Sequence, residues 1–141
     1  MKQFELYEKY PNNRKSISLI EKDLRKIKHI LNLSETIYYS IYLCVYEAFI
    51  NAVFHGNRLD ITKHVDLNIY FDDNVLTIKI IDSGDGFALH ELPDPLNPNN
   101  LLKDSGRGIF IINHYTDQCK FEKTYRGFCV TIKFTLERSD K

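Results

Sequence analysis

The chain has 141 residues, 43% of them hydrophobic, and its 19 basic residues are balanced by 19 acidic ones. That size and apolar content suit one globular domain with its own core. The even charge balance removes the basic excess expected of a nucleic-acid or membrane-surface protein.

No continuous apolar run approaches the roughly 18 residues of a membrane span, and the N-terminal Met1-Lys2-Gln3-Phe4-Glu5 lacks a signal-peptide core, so a cytoplasmic protein is expected. Cys44, Cys119 and Cys129 form no C-x-x-C pair, which points to reduced thiols packed as small hydrophobes rather than a disulfide framework or a zinc site.

Residues 3 to 9 alternate as an opening strand with Phe4 and Leu6 on one face, and Pro11-Asn12-Asn13 marks a turn. A helix follows, with Ser18 and Glu21 at capping-box spacing. Its apolar stripe is Ile20, Leu24, Ile27 and Leu31; Lys22, Arg25, Lys26 and Lys28 form a solvated basic side. Ser34 is the expected N-cap of a second helix running to about Phe54, with Gly56 or Asn57 as its stop signal. This helix is apolar nearly all round, through Ile41, Leu43, Val45, Phe49, Ile50 and Val53, as expected of one packed on a sheet. Cys44, Glu47, Asn51 and His55 are the exceptions, expected on one side, the last three at every fourth position. A buried carboxylate or amide needs a compensating partner, so the stripe is a candidate site.

Two strands near 65 to 71 and 75 to 82 form a hairpin around Asp72-Asp73-Asn74. Asp82 shares the parity of Leu76, Ile78 and Ile80, so its carboxylate continues the core-facing row. Ser83-Gly84-Asp85-Gly86-Phe87 follows, where glycines permit a tight turn and close approach of a ligand. Residues 88 to 105 hold Pro93, Pro95 and Pro98 and read as a long loop of the kind that serves as a lid. It ends in Gly106-Arg107-Gly108, opening a short helix over Ile109 to Ile112; free amides there, with Arg107 and Lys103, suit an anion. Strands near 117 to 122 and 127 to 136 close the chain as a second hairpin, with Phe128, Val130, Ile132, Phe134 and Leu136 on one face.

These segments complement a purine triphosphate. An aspartate accepts from an exocyclic amine, an amide oxygen suits Mg²⁺, free amides hold phosphate oxygens, and a nearby glutamate orients or deprotonates an attacking hydroxyl. No G-x-x-x-x-G-K-[ST] P-loop occurs.

The run Glu47-Ala48 to Asn51-Ala52 to His55-Gly56-Asn57 resembles the N box of the ATP-binding fold shared by gyrase, Hsp90, histidine kinases and MutL (the GHKL family). Asp82 to Phe87 resembles its D-x-G-x-G box, and Ser105 to Ile112 its second glycine box, in the same order over nearly the whole chain. Within that family the chain looks most like the anti-sigma-factor serine/threonine kinases. The resemblance implies an α+β fold, a two-layer α/β sandwich of the Bergerat type, with a mixed, mostly antiparallel sheet covered on one face by helices. It implies one ATP-binding domain over 1 to 141 with an ATP lid at about 88 to 105. Glu47 is then the catalytic base, Asn51 the Mg²⁺ ligand and Asp82 the adenine reader; Gly84 and Gly86 shape the adenine pocket, Gly106, Arg107 and Gly108 close over the phosphates, and Phe87, Lys103 and Ile109 are further cofactor-binding residues. His55 is a further binding residue or a structural hydrogen bond at the helix end. Where the family often carries a threonine after the late glycine, Gly127 is followed here by Phe128, which packs on the adenine or fills its space; Thr131 has the opposite parity.

The resemblance implies ATP and Mg²⁺ as cofactors and an anti-sigma-factor antagonist as protein substrate, with a sigma factor as a second partner, a homodimer, and no direct contact with nucleic acid or membrane. Two alternatives stand beside this. One is a non-catalytic ATP-binding module that sequesters a sigma factor or another regulator; the other is a histidine-kinase catalytic fragment, for which 141 residues leave no helical phosphoacceptor domain.

Overall fold

Among the described residues five strands have apolar faces that coincide, and one amphipathic helix and one largely apolar helix cover that shared face. The computed structural model describes residues 3–57, 60–83, 111–125 and 127–136, and only the backbone of residues 55 and 56. The strands are β1 (Phe4–Pro11), β2 (His64–Asp72), β3 (Val75–Asp82), β4 (Gln118–Lys123) and β5 (Phe128–Thr135); the helices are α1 (Ile17–Leu31) and α2 (Glu35–Asn51). The sheet order is β1-β2-β3-β5-β4, and every described pairing is antiparallel.

Register follows the pleat. Leu67 faces Ile80 and Ile69 faces Ile78 across β2 and β3, while Ile78 faces Ile132 and Ile80 faces Val130 across β3 and β5. These side chains pack with Ile20, Leu24 and Ile27 of α1 and Ile41, Val45 and Phe49 of α2 into one core. Each such buried side chain contributes about 1.5–3 kcal/mol relative to exposure. The β2–β3 turn is Asp73-Asn74, with φ of 52° and 64°. Two positive φ values in a two-residue connection make a type I′ turn, which matches the twist of the flanking strands and favours Asn and Asp.

The entry to α1 departs from the sequence expectation. A single 3₁₀ turn, Arg14–Ser16, precedes the helix, so Ser18 lies inside it and no capping box forms. The Ser18 hydroxyl donates to the Lys15 carbonyl, and Glu21 pairs with Arg25 at 3.0 Å. Lys22, Arg25 and Lys26 are exposed, as expected of a solvated basic side. Asp23, with the helix's core residues, is buried; it accepts the Tyr10 hydroxyl and so ties α1 to β1. Burial, then that hydrogen bond, holds the Tyr10 hydroxyl well above the ordinary tyrosine pKa.

Ser34 caps α2 as expected, accepting the Ile37 amide at 3.2 Å. Counted by unbroken apolar residues the segment is short of a membrane span, but the helix Glu35–Phe54 is long and apolar enough to cross one by length and composition. Its apolar residues Ile41, Val45, Ala48 and Phe49 are buried here, against the sheet and α1.

Candidate functional site

The α-helical hydrogen bonding of α2 ends at Asn51, and residues Ala52–Gly56 form a π-helical turn closed by the Asn57 amide on the Ala52 carbonyl at 2.7 Å. Glu47 and Asn51 are therefore one α-helical turn apart, as predicted. The fourfold spacing that aligned His55 with them does not pass through the wider turn, because i→i+5 bonding changes the rotation per residue. The side-chain position of His55 lies outside the described residues.

Glu47 and Asn51 are half-buried, less enclosed than the buried acid and amide expected. They sit at the shoulder of the helix, three and seven residues beyond Cys44. Cys44 lies on the same side, at i, i+3 and i+7 spacing, but deeper: it is wholly buried in the core, where burial, with smaller effects from Cys119 and Glu47, pushes its thiol up to about 12. The Asn51 side chain makes no hydrogen bond among the described residues, which leaves its amide oxygen able to take a ligand.

Asp82 closes β3 with its side chain on the core face and 6% exposed, as the pleat predicts. Its register partner is Phe128, also buried, so an aromatic ring occupies the strand position directly across from the carboxylate. Thr131 lies on the other face, as its parity requires, with its hydroxyl 3.6 Å from the Cys129 sulfur. Gly127 explains how β5 comes so near: a Cβ at this position would stand 1.8 Å from the Asp82 carbonyl oxygen. Only a residue without a side chain fits there.

Asn57 joins the two halves of the site; the sequence placed it at the helix stop and at the end of the run resembling the N box, without a role in the site. It is 1% exposed; its Oδ1 accepts the Ser83 amide at 2.8 Å, and its Nδ2 donates to the His64 carbonyl at 2.9 Å and to Asn12 Oδ1 at 3.1 Å. Four segments thus converge on one amide: the end of β1, the end of the long helix, the start of β2 and the residue after Asp82. The signal available in the sequence was an amide beside Gly56, where a backbone-satisfying side chain is common after a helix. The π turn also packs against β3, which sets the Asn51 end of α2 beside the Asp82 end of the strand.

Gly84, Gly86, Phe87, Lys103, Gly106, Arg107, Gly108 and Ile109, and the lid at 88 to 105, lie outside the described residues. Of the short helix expected at Ile109 to Ile112, residues 111–115 are described and helical, with Ile112 fully buried.

A profile of histidine kinase-like ATPase domains matches residues 11–134. The chain belongs to that family. The solved structures agree on the fold of this ATPase domain. SiaB–SiaC complex from Pseudomonas aeruginosa superposes with a TM-score of 0.69 at 13% identity, covering 92% of this chain and 88% of that one. The blue-light activated histidine kinase EL346 of Erythrobacter litoralis gives 0.57 at 16% identity, covering 86% of this chain and 42% of that one. The catalytic domain of the histidine kinase ThkA gives 0.55 at 11% identity, with 96% and 97% covered. No curated protein sequence matches the chain.

Family membership implies ATP binding, and the described residues of the domain fit parts of such a ligand. A buried carboxylate at Asp82 suits an amine donor, and the free Asn51 amide suits a hard cation as a single oxygen ligand. Among the described residues no group of three His, Cys, Asp or Glu side chains could hold a metal by itself. A single amide oxygen is a ligand that Mg²⁺ accepts, since it keeps several waters and is usually held through substrate phosphates and one or two protein oxygens.

Proposed function

We propose that this ATPase domain is an ATP- and Mg²⁺-dependent serine/threonine protein kinase of the anti-sigma-factor type. Its substrate is a small antagonist protein in the cytoplasm, and phosphorylation releases that antagonist so that the kinase exchanges it for a sigma factor or comparable regulator. The domain is taken to span 1–141, with the lid at 88–105, and to act as a homodimer.

One observation supports this reading above the others: Glu47 stands one helical turn before Asn51, on the helix whose end Asn57 fastens to the residue after Asp82. The carboxylate of Asp82 would hold the adenine amine, the Asn51 oxygen one Mg²⁺ position, and His55 and the Gly106–Gly108 turn the phosphates. Bound Mg-ATP supplies an activated phosphoryl group. Glu47 would take the proton of the acceptor hydroxyl as that hydroxyl receives the phosphoryl group, with ADP as the leaving group. A general base of this kind contributes about 10²–10⁴-fold. The SiaB structure was solved with SiaC, which supports a protein partner for a domain of this shape.

A second reading, a nucleotide-binding module that sequesters its partner without modifying it, is favoured by Phe128, buried across from Asp82 where the resembling kinases often carry threonine. Affinity capture of the partner, followed by incubation with γ-labelled ATP and Mg²⁺, separates the two. The kinase reading expects labelled phosphoserine or phosphothreonine on the captured protein and its loss in Glu47→Ala. An unlabelled partner in the presence of measurable ATP binding favours sequestration; label on histidine favours a histidine-kinase fragment.

A further inference from the structure

The sheet face turned away from the helices carries a charge pattern that the nucleotide site does not use. No described helix lies on it, and it holds a hollow of about 530 Å³ lined by Tyr70, Lys79, Lys120, Glu122, Thr131 and Lys133, among others. In the register, Thr131 of β5 stands between Lys79 of β3 and Lys120 of β4, and Lys133 faces Thr77 one pleat along. Lys79 and Lys133 are therefore diagonal neighbours on one face, about 7–8 Å apart at their backbones. Like charges so placed repel, and neither has a carboxylate partner among the described residues. Glu122, the single acid in the lining, pairs with Lys120 at 3.4 Å. The floor is closed: Thr77 and Thr131 are 2% and 8% exposed, so the ammonium groups stand at the rim of a hollow with hydroxyls beneath. Beside Lys79 in the register, Asn68 of β2 has a buried Oδ1 with no hydrogen-bond partner among the described residues.

We infer that this hollow is a docking site for an acidic, extended peptide segment of a partner protein. The three lysines around the hollow supply cations for two carboxylates. Side chains on one side of an extended peptide recur about every 6.8 Å, so acids at alternate positions meet the Lys79–Lys133 spacing. A second copy of this chain does not fit, since two such faces bring lysine against lysine. A long polyanion fits less well: Glu122 lines the hollow, Asp66 stands beside Lys9 in the next row, and Glu5 ends the row of Lys133, so acids interrupt the lysines on both sides. The site lies on the opposite side of the sheet from Glu47 and Asp82 and stands independently of the kinase reading.

Fluorescence anisotropy with a fluorescein-labelled peptide of alternating Glu and Thr tests it on the full chain without nucleotide. Saturable binding is expected, with no binding of the same peptide carrying Gln for Glu. Lys79→Gln with Lys133→Gln should weaken it by about tenfold, and Lys120→Gln, on the exposed edge strand, by about threefold, in keeping with partly exposed ion pairs; Lys22→Gln on α1 should leave it unchanged. Absence of saturable binding, or equal binding by the wild type and the double variant, overturns the assignment. Competition by a thymidylate dodecamer as strong as that by unlabelled peptide also overturns it, in favour of a general polyanion surface. A double variant that has lost its fold, shown by its melting curve, leaves Lys120→Gln as the deciding variant: unchanged binding there overturns the docking site, and the threefold loss supports it.

Discussion

Gly127 lies so close to Asp82 that a Cβ would come within 1.8 Å of the Asp82 carbonyl oxygen and 2.7 Å of the Ser83 Cα. Both obstacles are backbone, so no rotamer change relieves them. The end of β3, which carries the candidate adenine reader, is placed by the absence of a side chain on the neighbouring strand. Gly127→Ala is predicted to destabilise the fold by about 3 kcal/mol or more, from overpacking against a paired strand. A thermal melt should show Tm falling by roughly 10 °C; an unchanged Tm would mean the two strands separate here at little cost.

Asn57 is the second constraint on that strand end. Asn57→Ala removes the acceptor for the Ser83 amide and the donor to the His64 carbonyl and Asn12 Oδ1. Leaving buried groups unpaired costs ~1–3 kcal/mol each, so a loss of about 3 kcal/mol is expected in urea unfolding. Asn57→Asp keeps the acceptor but buries a carboxylate oxygen against the His64 carbonyl and Asn12 Oδ1, and should cost at least as much as Asn57→Ala.

Tyr10 gives a pH dependence with a definite sign. Its folded pKa is raised, by burial first and the hydrogen bond to Asp23 second. Below the unfolded value of about 10 the hydroxyl is protonated in both states, and its contribution is whole. Above it the unfolded chain loses the proton while the folded chain keeps it, so stability falls by about 1.4 kcal/mol per pH unit. Tyr10→Phe should be less stable at neutral pH, by about 1–3 kcal/mol for the lost partner of Asp23. It should also lose stability less steeply above pH ~10; parallel curves for the two proteins would count against a raised Tyr10.

Metal dependence should reside in Asn51. ATP affinity of the wild type is expected to fall on chelation of Mg²⁺, and Asn51→Ala in Mg²⁺ should resemble the chelated wild type. If chelation weakens that variant as much as the wild type, Asn51 is not the protein's oxygen on the ion.

The features legible in the sequence were those set by period. Alternation along β3 placed the Asp82 side chain on the core face, and the same parity separated Phe128 from Thr131. Fourfold spacing placed Asn51 one turn after Glu47. What could not be read depended on contacts between distant segments. Ser18 has cap spacing in the sequence, but the 3₁₀ turn Arg14–Ser16, held by Ser16 donating to the Pro11 carbonyl at 2.7 Å, starts the helix before it. The π turn broke the period on which His55 was aligned, and the convergence of four segments on Asn57 has no local pattern.

Titration with ATP and Mg²⁺ by calorimetry, on the wild type, Asp82→Asn and Glu47→Gln, bears most directly on the assignment of the site. Saturable binding is expected by the wild type, a loss of about tenfold or more in Asp82→Asn, where one neutral amide oxygen replaces the charged carboxylate as acceptor for the adenine amine, and affinity within about threefold of wild type in Glu47→Gln. Equal affinity of Asp82→Asn and the wild type would contradict the placement of adenine at Asp82, and with it the site built around that strand end.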